Sequence, residues 1–308
     1  MHEINVANKI INITNPDKIL FIEANLTKMD LINYYLKVAD HLLPHVKDRP
    51  ITIQCFPEGV KQEGFYRQYA LDTLPSWFET FSLKNKYGVY VEHLLCQDTA
   101  SLIYLVNYNM VSMFRWLSKV ENPESPDLLA IEIIPPNEAA FHLVCKAAKL
   151  LKIQLETRNY QPYVMTTGSN SLLVMSRSKQ NDDYAQVREM LFELVAIIIK
   201  EYPTEFSVNV RKNKRGELVY IDIMRNSYAQ SVITPFSIKA EKHAYVATPL
   251  SWKELEKPDS ILNQWNINNI FTRLNNLVND PWTGLESKLP IIFLISVFLS
   301  FYKLDLIL

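Results

Sequence analysis

The sequence is poor in glycine. Only six glycines occur among its 308 residues, and none falls into the spacing of a G-x-G-x-x-G dinucleotide fingerprint or a G-x-x-x-x-G-K-[ST] phosphate loop. A G-x-S-x-G nucleophile elbow is absent as well. These absences exclude a Rossmann-type cofactor site, a P-loop and the serine site of an α/β-hydrolase.

Cysteine and metal-binding histidine patterns are also scarce. The three cysteines, Cys55, Cys96 and Cys145, are far apart and odd in number, so they form neither a CxxC pair nor a disulfide framework. This usage suits a reducing compartment. The six histidines show no HExxH spacing and no CxxC…HxxxH spacing, so a zinc site has no support.

The chain has no strong overall charge. Its formal net charge is −1 and its sequence pI is about 6.6, so any binding to nucleic acid must use a local basic patch. The densest such patch is residues 211–215, RKNKR. A solvated hairpin loop is the favoured interpretation of this run, and contact with a DNA backbone is the alternative.

The two termini carry no clear targeting signal. The first residues, MHEINVANKIINIT, lack the apolar core of a signal peptide. Residues 289–302, LPIIFLISVFLSFY, are almost wholly apolar but fall short of the ~20 residues that span a bilayer. We expect a docked core element or a tail foreign to the rest of the chain, with membrane insertion as the alternative.

Helical and strand patterns alternate without repeats or linkers, which predicts one continuous α+β domain over residues 1–285 and an apolar tail over 286–308. Thr27 and Asp30 form a near capping box at the start of the first long helix. The other predicted elements are strands within 49–60, 128–134, 161–167, 171–177 and 217–226, and helices over 138–155 (capped by Asn137), 182–200 and 259–280.

The strand at 128–134 places a single acid among apolar residues. Side chains alternate between the two faces of a strand, so Glu132 and Ile134 point the same way. Two acids at this spacing would make a pair able to hold metal ions. Because the second position is isoleucine, Glu132 is either the remnant of such a site or an ordinary strand residue.

Six stretches, in this order and spacing, resemble the primase-polymerase domain of bacterial ligase D, a member of the archaeo-eukaryotic primase superfamily. The resemblance covers about residues 10–285 and implies mixed sheets flanked by helices around a central cleft. The stretches are ITNPDKILF (13–21), LTKMDLINYY (26–35), LLPHVKDRPITI (42–53), FPEGVKQEGFYRQ (56–68), YIDIMRN (220–226) and VATPLSW (246–252).

The resemblance implies a domain of DNA end-joining repair. Such a domain binds a DNA end or gap through a downstream 5′-phosphate and adds nucleotides, preferably ribonucleotides, with Mn²⁺ or Mg²⁺. Its partners in the family are the end-binding protein Ku and ligase and nuclease modules. The chain shows no ligase motif, so a ligase would be a separate protein. A cytoplasmic, nucleoid-associated location in a bacterium is implied as well.

The implied catalytic acids are incomplete. Residues 132–136, EIIPP, fall where the family has Asp-Leu-Asp-Pro-Pro, so Glu132 takes the place of the first aspartate and Ile134 that of the second. The family has a third aspartate on a neighbouring strand, and Asp222 matches it. An alkyl side chain offers no oxygen to a hard divalent cation, so Glu132 and Asp222 are interpreted as a remnant that holds metal weakly or not at all.

The implied nucleotide-binding stretch has changed in the same direction. Thr166, Thr167 and Gly168 match small residues of the family's triphosphate-binding loop, but both lysines of that loop are missing. Lys239 stands where the family has an arginine, which keeps the charge and loses the bidentate fork. Phe114 stands where the family has a histidine.

The implied DNA-binding positions are better preserved. Lys18 and Lys28 match two lysines that grip the 5′-phosphate. Phe65 and Tyr66 match an aromatic pair that stacks on the template base, a contact worth roughly 1–3 kcal/mol per base. The alternatives are ordinary exposed lysines and core aromatics.

Three hypotheses follow for the function. The first is an accessory protein that binds 5′-phosphorylated DNA ends or gaps and whose nucleotidyl transfer is lost or impaired. The second is an active Mn²⁺-dependent, template-directed polymerase whose metal site is completed by Glu132, Asp222 and a water or backbone oxygen. The third is a decaying gene product that keeps the fold but not the binding. Metal dependence separates the second from the others, and phosphate-dependent binding separates the first from the third.

Overall fold

The computed structural model describes residues 2–71, 73–84, 87–262 and 264–286. The apolar run predicted at 289–302 lies outside the described residues. No helix in the described ranges is both long enough and apolar enough to cross a bilayer.

Short strands make up most of the elements in the described ranges. In chain order they are β1 His2–Val6, β2 Lys9–Ile13, β3 Ile19–Phe21, β4 Leu26–Thr27, β5 Ile51–Cys55, β6 Phe65–Arg67, β7 Thr80–Lys84, β8 Tyr90–Leu94, β9 Met110–Trp116, β10 Leu128–Ile134, β11 Tyr163–Thr166, β12 Leu172–Arg177, β13 Phe206–Ser207, β14 Val219–Asp222, β15 Ser231–Ile233 and β16 Pro249–Leu250.

The helices begin at polar caps where the sequence offers them. Thr27 caps the first helix, and its hydroxyl and the Asp30 carboxylate form the predicted capping box. Asp98 and Asp183 cap the second and fourth helices in the same way. The helices are α1 Lys28–Val46, α2 Thr99–Asn107, α3 Phe141–Glu156, α4 Tyr184–Glu201 and α5 Ile270–Asn276.

Two larger sheets organise the fold. A six-stranded sheet has the order β13-β14-β10-β12-β11-β16, and a four-stranded sheet has the order β15-β9-β5-β6. Helices α3 and α4 pack on one face of the six-stranded sheet, whereas α1 and α2 pack on the four-stranded sheet. This mixed architecture confirms the α+β prediction.

Strand β10 shows how the sheet divides two environments. Leu129, Ile131 and Ile133 point into the core beneath α3 and α4. The alternate residues point to the other face, where Leu128 and Ala130 join a smaller core. The last residues on that second face, Glu132 and Ile134, therefore open toward the space between the two sheets.

A cluster of buried charges, which we call the arginine cluster, ties the end of the described chain to the core. It comprises Arg49, Arg115, Asp127, His45 and Glu286. The Asp127 carboxylate accepts two hydrogen bonds from Arg49, at 2.5 and 2.7 Å. The Glu286 carboxylate accepts hydrogen bonds from Arg115 and, at 3.3 Å, from Arg49, and it lies 3.0 Å from the His45 ring nitrogen.

The predicted helix over 259–280 is wrong for most of its length. In the described part of this range, α-helix occurs only over Ile270–Asn276. Asparagine side chains preceding it bond to nearby backbone: the Asn269 side chain accepts from the Asn266 amide and donates to the Gln264 carbonyl. Such local bonds compete with helical backbone hydrogen bonds and favour turns.

Asn137 takes the predicted N-cap position, but its side chain does not cap the helix. Asn137 precedes a short 3₁₀ turn, Glu138–Ala140, and makes no side-chain capping bond. Its side-chain amide donates instead to Glu217 at 3.1 Å, so a tertiary contact replaces the local one.

Candidate functional site

The two implied catalytic acids lie opposite each other. Strands β10 and β14 pair in antiparallel register, with Glu132 facing Asp222 and Ile134 facing Tyr220. Ser171 on the neighbouring loop donates a hydrogen bond to the Glu132 carboxylate at 3.0 Å. The Asp222 carboxylate accepts the Met224 backbone N–H at 2.8 Å. The fold thus brings both predicted acids together at the end of adjacent strands.

The environment of Glu132 disfavours its charged form. Burial raises the pKa of its carboxyl, and the nearby Asp222 acts in the same direction. The Lys239 ammonium, the Ser171 hydrogen bond and the Arg225 guanidinium each lower the pKa, but together they do not cancel the effect of burial.

The residues present do not fit a pair of divalent metal ions. Mn²⁺ and Mg²⁺ require several hard oxygen donors, and a two-metal site needs enough carboxylates to share between the ions. Ile134 supplies no oxygen on the face where Glu132 points. Within the described ranges, no group of three His, Cys, Asp or Glu side chains is placed to hold a metal ion. Glu132 and Asp222 alone are too few donors.

The implied nucleotide loop follows β11 and is rich in hydroxyls. Thr166 is buried, and its backbone N–H donates to the Thr248 carbonyl at 3.0 Å. The Thr167 hydroxyl forms hydrogen bonds with the hydroxyls of Ser169 and Ser171, and the Ser171 hydroxyl donates to the Glu132 carboxylate. These hydroxyls are largely used within the loop, so the loop itself is short of free donors for a phosphate.

Gly168 holds the loop against the segment that carries Lys239. Its φ of +77° lies in the left-handed region, and a Cβ added there would stand 2.8 Å from the Lys239 Cβ and 3.1 Å from the Tyr245 carbonyl oxygen. Glycine is therefore required by both backbone conformation and space.

Replacing Gly168 by alanine should destabilise the protein by about 2–5 kcal/mol, because left-handed strain of ~1–2 kcal/mol adds to overpacking of ~1–3 kcal/mol. Gly216→Ala is the matched control, since Gly216 has a φ of +57° but nothing within 4 Å of an added Cβ. Chemical denaturation of both variants measures the difference. Equal losses would mean that the crowding at Lys239 has no effect.

A cleft of about 490 Å³ lies between the two sheets, beside the acids. Its aromatic wall is formed by Tyr66 and Phe114, whose ring centroids are 5.8 Å apart. Its charged side chains are Glu132, Lys239 and Arg225. The remaining lining residues are Ile134, Thr167, Ser231, Val232 and Ile233.

Arg225 is a cleft residue that the sequence analysis did not single out. It lies three positions after Asp222 within the stretch YIDIMRN, so the motif contained the signal, but no pattern in the residues alone points this side chain into the cleft. Phe65 and Tyr66 are 39% and 64% exposed, so the alternative that they are core aromatics is wrong.

The two predicted phosphate-binding lysines lie together at the start of α1, away from the residues that line the cleft. The Lys28 backbone N–H donates to the Lys18 carbonyl at 2.8 Å. The Lys28 side chain is only 1% exposed, so it is not an ordinary surface lysine, and its ammonium donates to the Thr14 hydroxyl and the Asn107 carbonyl at 3.2 and 3.0 Å. Lys18 lines a depression of about 660 Å³ and pairs with Glu58 at 3.1 Å.

The basic run 211–215 forms an exposed turn. Lys212–Lys214 is a 3₁₀ turn, and Arg215 stacks 3.9 Å from the ring centroid of Tyr220. The exposure of the run was predicted correctly, but the hairpin was not, because β13 and β14 on either side of it pair in parallel. Contact of the run with DNA stays a prediction.

A known protein family matches most of the chain. Residues 27–282 match the model of the LigD primase-polymerase domain. The bifunctional non-homologous end joining protein LigD of Bacillus subtilis is 26% identical over 244 residues, which cover 79% of this chain and 39% of that protein. The multifunctional LigD of Mycolicibacterium smegmatis is 22% identical over 283 residues, which cover 91% of this chain and 37% of that protein.

A solved structure has the same fold. The polymerase domain of Mycobacterium tuberculosis ligase D, determined in complex with DNA, superposes with a TM-score of 0.83 and 21% sequence identity, covering 90% of this chain and 98% of that domain. The chain spans about two-fifths of the length of the full LigD relatives that it matches.

Proposed function

Because the chain belongs to the LigD primase-polymerase domain family, we propose that it binds 5′-phosphorylated DNA ends or gaps in non-homologous end joining and that its nucleotidyl transfer is lost or impaired. The loss of nucleotidyl transfer is inferred from one face of β10. Ile134 lies on the same face as Glu132 in place of an acid, so Asp222 is the only other member of the implied catalytic acids that is present.

Support for DNA binding comes from two places on the molecule. Lys18 and Lys28 concentrate positive charge at the N-terminus of α1, a position that favours phosphate. The exposed rings of Phe65 and Tyr66 offer faces on which bases can stack. The tuberculosis polymerase domain, which shares the fold, was determined with DNA. Ku and a separate ligase are the partners that end joining would require.

The alternative is an active Mn²⁺-dependent polymerase that fills gaps at double-strand breaks. The observation in its favour is that Glu132 and Asp222 face each other across paired strands. The donor set argues against it, because one carboxylate of the three is replaced by an alkyl chain. The third possibility is a decayed protein that keeps only the fold, and a measurement of DNA binding tests it.

One experiment separates the three. A gapped duplex with a 5′-phosphate is incubated with ribonucleotides and Mn²⁺, using the unmodified chain and its Ile134→Asp variant. We expect the unmodified chain to shift the duplex in a gel and to extend it at a rate at least about 10²-fold below that of active relatives, the scale set by loss of one charge-stabilising group.

The outcomes are distinct. Clear extension by the unmodified chain would support the active polymerase. Extension by the Ile134→Asp variant alone would identify residue 134 as the cause of the loss. A gel shift that is equal with 5′-hydroxyl DNA, or absent altogether, would favour the decayed protein.

A further inference from the structure

The outer face of α4 is apolar, whereas a helix face turned to water is usually polar. On the side turned away from the sheet, Phe192 is 46% exposed and Ala196 is exposed as well. Ile199 lies half-buried beside them. With 3.6 residues per turn, Phe192, Ala196 and Ile199 form one stripe along the helix. The opposite side of α4 packs in the core against the six-stranded sheet, through Val187, Leu191, Leu194, Val195 and Ile198.

Charges of opposite sign flank this stripe. Glu193 lies next to it in the first half of the helix and Lys200 in the second half, and both are exposed. Seven residues, or about 10 Å along the helix axis, separate the two, so they do not pair within one chain. Among the described residues neither forms an ion pair. Glu189 adds an exposed acid four residues before Glu193, a spacing at which like charges repel.

A second copy of the same face, running in the opposite direction, complements both the stripe and the charges. A two-fold axis beside Ala196 places each residue of one copy opposite the residue equally far from position 196 in the other. Phe192 then meets the partner's Ile199 on one side of the contact line. Glu193 meets the partner's Lys200 on the other side, so both contacts form in the same arrangement. Ala196, at the axis, is small enough to let the two helices approach closely.

We infer that α4 forms a homodimer interface, in which the helices of two copies pack antiparallel about a two-fold axis at Ala196. Phe192 and the partner's Ile199 supply the apolar contact. Two symmetry-related pairs of Glu193 with the partner's Lys200 set the direction, because a parallel pair would bring like charges together. One helix from each copy buries less than the roughly 1,200–2,000 Å² of a stable interface, so we expect a dissociation constant on the order of 10 µM.

This interface is separate from the cleft and from the lysines of α1. Helix α4 packs on one face of the six-stranded sheet, whereas Glu132 opens into the cleft from the other face. Lys18 and Lys28 lie at the start of α1, which packs on the four-stranded sheet. Dimer formation therefore requires no DNA, nucleotide or metal ion, and it leaves the cleft of each copy open.

Sedimentation equilibrium of the full chain without DNA, from about 1 to about 300 µM, covers the expected dissociation constant. We expect monomer at the low end and dimer at the high end. Phe192→Ser should weaken association by at least about tenfold, because both copies lose their aromatic anchor. Ile197→Ser is the matched control. Ile197 is 44% exposed on the same helix, but it lies about 100° around the helix axis from Ala196, so association should change less than about twofold.

Charge reversal tests the proposed direction. Glu193→Lys and Lys200→Glu should each weaken the dimer by about tenfold, because each turns two attractive pairs into repulsive ones. The double variant with both changes should restore association to within about twofold of the unmodified chain. Glu23→Lys, at an exposed position in the turn between β3 and β4, makes the same charge change away from α4 and should leave association unchanged.

Cross-linking tests the position of the axis. At the separation of packed helices, about 8–10 Å between axes, two residues at the two-fold axis lie within reach of a disulfide. Ala196→Cys should therefore give a disulfide-linked dimer in oxidised glutathione. Ala185→Cys, exposed on the same helix, should not, because it lies about 16 Å from the axis in each copy. The native cysteines, Cys55, Cys96 and Cys145, are buried and should not cross-link.

Three results would overturn the proposal: a chain that stays monomeric up to about 300 µM, a dimer that Phe192→Ser leaves intact, or equal cross-linking through positions 185 and 196. A monomer whose melting temperature falls in Phe192→Ser would show that another segment of the same chain covers the helix, which also contradicts it. None of these results affects the proposed binding of DNA ends, because Lys18, Lys28 and the cleft are unchanged in every variant.

Discussion

Replacing Glu286 by alanine is expected to lower the free energy of unfolding by about 3–5 kcal/mol, the loss typical when one partner of a buried ion pair is removed. The side chains of Arg49 and Arg115 are 1% and 0% exposed, and Glu286 bonds to both. Asp127 still compensates Arg49 in the variant, but among the described residues Arg115 keeps only the His45 carbonyl and a weak contact to the Met175 sulfur. A buried guanidinium would thus lose its counter-ion.

The same contact should appear in the pH dependence of stability. Burial by itself raises the pKa of Glu286, but the Arg115 guanidinium, the His45 hydrogen bond and Arg49 lower it to well below its usual range. The unfolded chain therefore takes up the proton first as the pH falls. Stability from Glu286 is fully present above the unfolded pKa, near 4.3 for a model glutamate, and is lost progressively as the pH falls below it.

Thermal and urea unfolding at about pH 7 and about pH 3 measure both effects. At ~2–4 °C per kcal/mol for a domain of 150–250 residues, Glu286→Ala should melt roughly 10 °C lower. Glu205→Ala is the control, because the Lys146–Glu205 pair is more exposed and should contribute less than about 1 kcal/mol. Equal losses in the two variants would show that Glu286 is not a required partner of Arg115.

Local patterns predicted much of the fold. The capping box at Thr27 and the alternation of β10 were readable, because caps and strand faces depend on residues within a few positions of each other. The prediction of a helix over 259–280 was wrong for most of its length, and the reason is again local. Asparagine side chains in this range form hydrogen bonds to backbone groups two to five residues away. These bonds compete with those of a helix, and a hydrophobic pattern gives no sign of them.

The candidate site was predictable only through the family motifs. Spacing placed Glu132 and Ile134 on one face, but the position of Asp222 opposite Glu132 depends on pairing between strands about 90 residues apart. The role of Arg225 in the cleft and the bonds of Glu286 to His45, 241 residues away, are tertiary contacts of the same kind. Residue composition carries no information about which distant segments meet.

The second large effect concerns Lys28. Replacing it by methionine should remove most of the preference of the chain for a 5′-phosphate over a 5′-hydroxyl at a DNA gap, a decrease of about tenfold or more in the affinity ratio. Methionine keeps the volume and burial of the side chain, so the fold should persist. Lys37→Met, at an exposed position on the same helix, is the matched control and should leave the ratio unchanged.

The pH dependence of this preference gives an independent test. Burial, with a smaller contribution from the Lys18 ammonium, lowers the pKa of Lys28 from 10.5 to about 8. Below that pH the ammonium is charged and attracts a dianionic phosphate, and above it the amine is mostly neutral. A bound phosphate shifts the midpoint upward, because it stabilises the charged form. The ratio of dissociation constants for 5′-hydroxyl and 5′-phosphate DNA should therefore fall between pH 7 and pH 9 in the unmodified chain and stay flat in Lys28→Met. A ratio that is constant with pH in the unmodified chain would exclude Lys28 as the group that recognises the phosphate and would leave that role to Lys18, whose ammonium pairs with the exposed Glu58.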